Sequence, residues 1–227
     1  MRNVFRKEIK YVIHETNFIE LKPLLMAFMR MDSHSKDMKY RVRSLYFDSA
    51  SDIDFHDNLD GVMEKRKIRI RTYDMKSDFA LLEYKCKSGS DSRKMSIKIT
   101  KSEALELEKG HFEVLLSHKE DLATFLYDKM TRNIYRPKTV VDYDRTAFTY
   151  PVSDVRITYD HNIKASMTSG SLYNENVSLY PTMIGGYGVL EVKYNDFLVR
   201  PLQEIVEKLD SLPEAMSKYS QARFLTN

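Results

Sequence analysis

The residues with the clearest chemical potential are cations at alternate positions: Lys67, Arg69 and Arg71, separated by Ile68 and Ile70. A β-strand turns successive side chains to opposite faces, so three cations share one face and two β-branched residues share the other. Like charges on one strand face repel unless water screens them or an anion neutralises them. One such strand is most simply a solvated face. This chain repeats the pattern, with Arg6, Glu8 and Lys10; Glu83, Lys85 and Lys87; Lys94 and Lys98; Arg145; Arg156 and Asp160; and Glu191 and Lys193 all in strand-like segments. Most alternate positions in those segments are apolar, with Lys7, Asp144 and Thr146 as exceptions.

Composition bounds the chemistry. With 227 residues, 42% hydrophobic and 30% charged, the chain can bury a sizeable core and fits a folded protein rather than a disordered one. Lys and Arg number 36 against 33 Asp and Glu, so bulk charge does not argue for a nucleic-acid binder. A functional basic patch has to come from arrangement. Cys86 is the lone cysteine, which excludes an intrachain disulfide and a cysteine-based zinc site and is compatible with a reducing, cytoplasmic compartment. The six histidines are scattered without ligand spacing. Gly185-Gly186-Tyr187-Gly188 is the one glycine cluster, and it lacks the helix and Lys-Ser/Thr of a phosphate-binding loop. No signal peptide and no apolar run long enough to cross a membrane is expected.

The elements that must position these cations are read from periodicity. Strands are expected at Phe5 to His14, Tyr40 to Asp48, 65–73, Phe79 to Lys87, Arg93 to Thr100, Val140 to Tyr150, Val155 to Asp160 and Val189 to Tyr194. Asn17 with Glu20 suggests a capping box for a helix over 18–31, weakened by Pro23. Ser102 suggests a cap for 103–109 and Gly110 its C-terminal stop; Leu122, Phe125, Leu126 and Met130 give a helical stripe over 119–132. Pro201 suits the first turn of a helix to about Leu209. Asp32 to Asp37, Ser49 to Gly61 (acidic and irregular, with room for a short helical turn), the turn Ser88-Gly89-Ser90-Asp91 and the long stretch 161–186 (with room for a short strand) read as loops. With no repeat and no linker, residues 1–227 read as one domain. About eight turn-connected strands with about four helices predict an antiparallel α+β fold.

Strands charged on one face and apolar on the other fit an open sheet with one wet face. They fit equally a closed barrel with a charged lumen and apolar exterior under helices. Pattern alone leaves both open. A dense basic lumen would need interleaved carboxylates and a bound polyanion, with a divalent cation on the acids.

The ordered series Arg6-x-Glu8-x-Lys10-Tyr11, Ser44-Leu45-Tyr46-Phe47-Asp48, Lys67-Ile68-Arg69-Ile70-Arg71, Leu82-Glu83-Tyr84-Lys85, Tyr143-Asp144-Arg145-Thr146-Ala147-Phe148, Arg156-Ile157-Thr158-Tyr159-Asp160, Val189-Leu190-Glu191-Val192-Lys193 and Ser217-Lys218-Tyr219 spans nearly the whole chain. It resembles the catalytic domain of the vacuolar transporter chaperone complex, a polyphosphate polymerase of the triphosphate tunnel metalloenzyme (CYTH-like) superfamily. The resemblance implies a closed antiparallel β-barrel, a triphosphate tunnel of about eight strands with a basic lumen and helices packed outside. It implies transfer of the ATP γ-phosphoryl to a growing polyphosphate chain with release of ADP and with Mn²⁺ or Mg²⁺, so that ATP and polyphosphate or pyrophosphate are the expected partners. Arg69 and Arg71 match the nucleotide-phosphate clamp, since arginine's fork can hold phosphate oxygens bidentately. Lys10, Lys85 and Lys94 match further tunnel cations, Arg145 the arginine of a Tyr-x-Arg element, and Lys218 a late tunnel lysine beside Ser217. Lys193 and Tyr143 fall among the substrate contacts, Tyr143 equally as packing. Glu191 matches the metal-binding carboxylate. Glu8 is either a second metal ligand or an ion-pair partner of Lys10 and Arg6.

Bland roles are expected for the rest. Arg156 and Asp160 would pair with each other, Lys67, Lys87 and Lys98 would sit in solvent at tunnel mouths, Cys86 would pack in the core, and Asp48 would close a turn. Within these residues no counterpart of the family's phosphate-sensing domain or membrane spans is expected, so export and inositol-phosphate regulation are not carried over as expectations; a separately encoded membrane partner is compatible. Two competing functions remain: a tunnel triphosphatase or nucleotide phosphohydrolase, and a non-catalytic polyphosphate-binding module. Arg6, where hydrolases of the superfamily open a Glu-x-Glu-x-Lys motif, favours the polymerase.

Overall fold

The computed structural model describes residues 6–33, 39–89, 91–167 and 170–225. The strands are β1 (Arg6–His14), β2 (Arg30–Met31), β3 (Tyr40–Asp48), β4 (Glu64–Thr72), β5 (Phe79–Ser88), β6 (Asp91–Thr100), β7 (Arg136–Tyr150), β8 (Val155–Ala165), β9 (Tyr180–Pro181) and β10 (Tyr187–Asn195). The helices are α1 (Glu15–Phe28), α2 (Ile53–Leu59), α3 (Lys101–Lys109), α4 (Asp121–Arg132), α5 (Arg200–Glu207) and α6 (Lys218–Phe224), with a 3₁₀ segment at Phe112–Ser117. Phe5, Ser90, the side chain of Arg6 and the later part of the expected loop at Asp32 to Asp37 lie outside the described residues.

The strand path begins at β1 and ends at β6, an α+β fold with a large antiparallel sheet; among the described residues β1 and β6 do not pair with each other. The chain divides into two compact units, each threaded by three segments: Met1–Arg41, Tyr143–Ile163 and Met183–Met216 in the first, Val42–Asp142, Lys164–Thr182 and Ser217–Asn227 in the second. β7 contributes 143–150 to the first unit and 136–142 to the second. No continuous stretch carries either unit, so composition shows no linker.

In the first unit β1 pairs with β10 and β10 with β8, both antiparallel. Ile13, Phe148, Ile157, Leu190 and Val192 point to one side, where α1 and α5 bury them with Phe18, Leu21, Leu25, Leu202 and Ile205. Phe18 stacks on Tyr159 with ring centroids 4.0 Å apart. The helix starts earlier than Asn17 suggested. His14 is its N-cap, accepting from the Thr16 amide, and Asn17 lies inside the first turn. Pro23 is carried within α1 because the burial of Phe18, Leu21 and Leu25 outweighs the one backbone bond it removes. Residues 30–31, expected as helix, pair as a strand with β7. The glycine cluster is structural: a Cβ at Gly188 would stand 2.7 Å from the Asp160 carbonyl oxygen, so β10 can approach β8 only through glycine.

In the second unit β3, β4, β5 and β6 pair in order, antiparallel. Leu45, Phe47, Ile68, Ile70, Leu82, Ile97 and Ile99 face a core closed by Leu107, Leu115, Ala123, Leu126 and Met130. Cys86 packs against it, as expected of a small apolar residue. Thr100, not Ser102, caps α3, because its hydroxyl and the Glu103 carboxylate form a reciprocal capping box; Gly110 ends it at φ 89. The apolar stripe of α4 runs through Ala123, Leu126 and Met130, leaving Phe125 exposed at the edge of the Tyr84 ring.

Candidate functional site

In both units the strand face opposite the helices carries the charged residues. Their centres are buried: Glu83 is 1% exposed and Asp160 is 0%. Water therefore does not solvate these two carboxylates, and neighbouring cations have to satisfy them.

In the second unit strand register builds the face. Lys67, Lys85 and Lys94 stand directly opposite one another on β4, β5 and β6. Like charges directly opposite destabilise a sheet, so three in a row require compensation. One step along, Tyr46, Arg69, Glu83 and Ser96 form the next row; beyond it come Ser44, Arg71, Leu81 and Lys98. Glu83 is the hub. Arg69 donates from Nε to Glu83 Oε2 at 2.7 Å and Lys94 from Nζ to Oε1 at 2.9 Å; Arg71 Nε lies 3.7 Å from Oε2. Burial alone would raise the Glu83 pKa, but Arg69, Arg71 and Lys94 hold it well below the usual carboxylate range.

Arg69 also donates from Nη1 to the Tyr46 hydroxyl at 2.9 Å. Burial pushes that hydroxyl up, yet Arg69, Arg71 and then Lys218 outweigh it, and Tyr46 ionises below the ordinary tyrosine value. Tyr46 stacks on Tyr219 of α6, with centroids 5.1 Å apart. That helix delivers the predicted late residues. Ser217 is its N-cap, accepting from the Ser220 amide, and also accepts from Lys67 Nζ at 2.7 Å. Lys67 is thus half-buried in the site rather than in solvent at a tunnel mouth; Lys87 and Lys98 are exposed as expected. Tyr219 donates to Asp48 Oδ2 at 2.6 Å, and Arg223 grips Asp52 at 2.7 and 2.9 Å. Asp48 does more than close a turn: its carboxylate also accepts from the amides of Ser49, Asp54 and Phe55 at the start of α2.

In the first unit Arg145 donates from Nε and Nη2 to both oxygens of Asp160, at 2.6 and 2.7 Å, and its Nη2 lies 3.4 Å from the Tyr143 hydroxyl. The expected Arg156–Asp160 pair does not form. Four residues apart on one strand, the two are about 13 Å apart along it, while Arg145 offers Asp160 a fork from the neighbouring strand. Arg156 donates to Asp32 at 2.8 Å and to the Tyr40 hydroxyl at 3.0 Å.

On β1 and β10, Lys10 faces Glu191 and Glu8 faces Lys193. Lys10 Nζ donates to the Met216 carbonyl at 2.9 Å and lies 3.1 Å from Glu8. Lys193 pairs with Glu191 and lies 3.6 Å from Glu8, so one ammonium is shared by two carboxylates. That donor set fits a hard divalent cation, which commonly takes one or two carboxylates and completes its shell from phosphate oxygens and water. Among the described residues no group of three His, Cys, Asp or Glu could hold a metal alone.

The VTC domain model matches residues 5–226. The chain belongs to the VTC domain family. No curated protein matches it. The crystal structure of a candidate adenylate cyclase from Bacillus halodurans is similar to this VTC domain in fold, with a TM-score of 0.56 at 15% identity, covering 93% of this chain and 96% of that one. The PH1819 protein of Pyrococcus horikoshii aligns over 95% of this chain and 97% of its own at 14% identity, with a TM-score of 0.47. No helix of this VTC domain, among the described residues, is long and apolar enough to cross a membrane.

The predicted residues therefore fall into two groups. The second unit brings together Arg69, Arg71, Lys85, Lys94, Ser217 and Lys218 of the VTC domain; the first holds Glu8, Lys10, Tyr143, Arg145, Glu191 and Lys193. Sequence reasoning missed Glu83 and Tyr46 as site residues. Both lie inside quoted motifs, and their signal is register: each stands opposite Arg69 on a neighbouring strand.

Proposed function

We propose that this VTC domain is a metal-dependent polyphosphate polymerase that transfers the ATP γ-phosphoryl to a growing polyphosphate chain threaded along a Lys/Arg-lined tunnel. The observation that carries this reading is the face of β4, β5 and β6. There Lys67, Arg69, Arg71, Lys85, Lys94 and Lys98 share alternate positions with one carboxylate, Glu83. Such an excess suits a polyanion whose charge repeats along its length.

In this reading Arg69 and Arg71 clamp the nucleotide phosphates, held in orientation by Glu83. The rows of Lys67, Lys85 and Lys94, with Lys10, Arg145 and Lys218, keep the acceptor chain aligned; Tyr143, Lys193 and Ser217 make further contacts. A terminal phosphate oxygen of the chain attacks the γ-phosphorus, the β–γ bond breaks, and ADP leaves. Alignment and neutralisation of the oxygens are what such a transfer needs from a protein. Glu191 and Glu8 would hold Mn²⁺ or Mg²⁺, which when bound withdraws charge from phosphate oxygens.

The test is incubation of purified protein with ATP and Mn²⁺, with and without pyrophosphate or a short polyphosphate primer, with products resolved by size. Long polymer and ADP are expected. Orthophosphate without polymer would instead identify a triphosphatase, and tight binding without turnover a binding module.

A further inference from the structure

Thr158 sits at the centre of the first unit's charged face with nothing to do. It is 4% exposed, and its hydroxyl oxygen is buried without a hydrogen-bond partner. Buried hydroxyls are nearly always paired, so an orphan one is a cost the fold would not carry without a return. Thr158 on β8 stands directly opposite Glu191 on β10, and Glu191 stands opposite Lys10 on β1. Directly opposed residues share a face with Cβ atoms about 5 Å apart. Glu191 is itself only 7% exposed and pairs with Lys193, two positions along its own strand. The Thr158 hydroxyl is therefore left beside a buried carboxylate without bonding to it.

We propose that Thr158 is an oxygen ligand of the divalent cation held by Glu191. This rests on the metal-dependent reading above and extends it to a residue outside the charged set. Two carboxylates leave a six-coordinate cation short of protein ligands, and a neutral hydroxyl adds one without adding charge. Threonine or serine hydroxyls serve magnesium in this way at nucleotide sites. The orphan oxygen is then the part of the ligand set that the side chains cannot satisfy among themselves.

The test is Mn²⁺ binding to the nucleotide-free full chain, followed by the electron paramagnetic resonance of free Mn²⁺, for wild type, Thr158→Val and Thr158→Ser. Valine keeps the β-branched shape and removes only the oxygen. Thr158→Val is expected to weaken Mn²⁺ binding about tenfold or more, as loss of a metal-site partner does. Thr158→Ser should bind within a few-fold of wild type. The melting temperature of Thr158→Val without metal should equal or exceed that of wild type, because an orphan hydroxyl gives way to a methyl group. Unchanged Mn²⁺ affinity in Thr158→Val overturns the proposal, as does a lowered melting temperature with metal affinity intact. Absence of Mn²⁺ binding in wild type overturns it too. A negative polymer assay alongside weakened Mn²⁺ binding in Thr158→Val would sink the polymerase reading and leave the Thr158 assignment standing.

Discussion

Glu83 and Arg69 show how much a single register position decides. Arg69 divides its guanidinium between Glu83 and Tyr46, so its orientation is set before any phosphate arrives. Arg69→Ala should lower phosphoryl transfer by about 100-fold or more, the scale of losing one preorganised donor. Its melting temperature should stay close to wild type, because Lys94 and Arg71 still neutralise Glu83. Activity within a few-fold of wild type would remove Arg69 from the clamp. Glu83→Gln works in reverse. It leaves Arg71, almost wholly buried, beside a neutral amide, and breaking a buried pair from one side costs about 3 kcal/mol. Urea unfolding should record that loss, and tripolyphosphate should restore more stability to the variant than to wild type. The carboxylate also predicts an acid limb. Its pKa is lowered on folding, so its contribution is complete above about pH 4.3, is lost as pH falls toward its own lower value, and should be missing from Glu83→Gln.

Two helices of the second unit connect stability to the site. Ser217 both caps α6 and accepts from Lys67. Ser217→Ala should cost about 1 kcal/mol, as loss of an N-cap does, and should raise KM for polyphosphate more than it lowers kcat. An unchanged KM would limit Ser217 to the cap. At α2, Asp54 is buried with its Oδ2 accepting from Tyr135 at 2.9 Å and its Oδ1 without a partner. Burial, then the neighbouring Asp48, raises its pKa to about 6. Folding raises this pKa above its unfolded value of about 3.9. The group's contribution is therefore complete below pH 4 and lost as pH rises through about 6. Asp54→Asn, keeping an acceptor for Tyr135, should flatten stability between those pH values. At pH 8 it should gain about 2 kcal/mol in chemical denaturation. A variant with the wild-type pH profile would show that Asp54 does not titrate there.

At the scale of the whole molecule, a net charge of +3 hides strongly sorted charge. Basic side chains concentrate on strand faces opposite the helix-covered cores. Bulk attraction to any polyanion is weak in such a protein, while a linear phosphate chain that reaches these faces meets several cations together. Tripolyphosphate at about 100 times its Kd should therefore stabilise by about 2.7 kcal/mol, a rise of a few degrees in melting temperature. Duplex DNA at equal phosphate concentration should give little shift, and both effects should fade with salt. An equal shift with DNA would mean that surface charge is responsible rather than the sorted faces.

The amino-acid sequence by itself determined the alternation of charged and apolar residues, and with it which residues share a strand face. It also carried the family, because eight short motifs in order identify it where each alone is weak. The strand positions, Gly110 at a helix end and Pro201 in a first turn follow from local sterics, and local sterics are written in neighbouring residues. Pairing across strands is not. Whether Asp160 meets Arg156 or Arg145, whether Lys67 meets solvent or Ser217, and that Glu83 gathers Arg69, Arg71 and Lys94 are matters of register and of chain segments far apart in sequence. The cap of α1 shifted to His14 and Asp48 became a helix anchor for the same reason: several groups could serve each end, and tertiary burial chose among them. Thr158 illustrates the limit most sharply. Nothing in its neighbours on the chain distinguishes it, and only the buried space opposite Glu191 makes its hydroxyl an unsatisfied one.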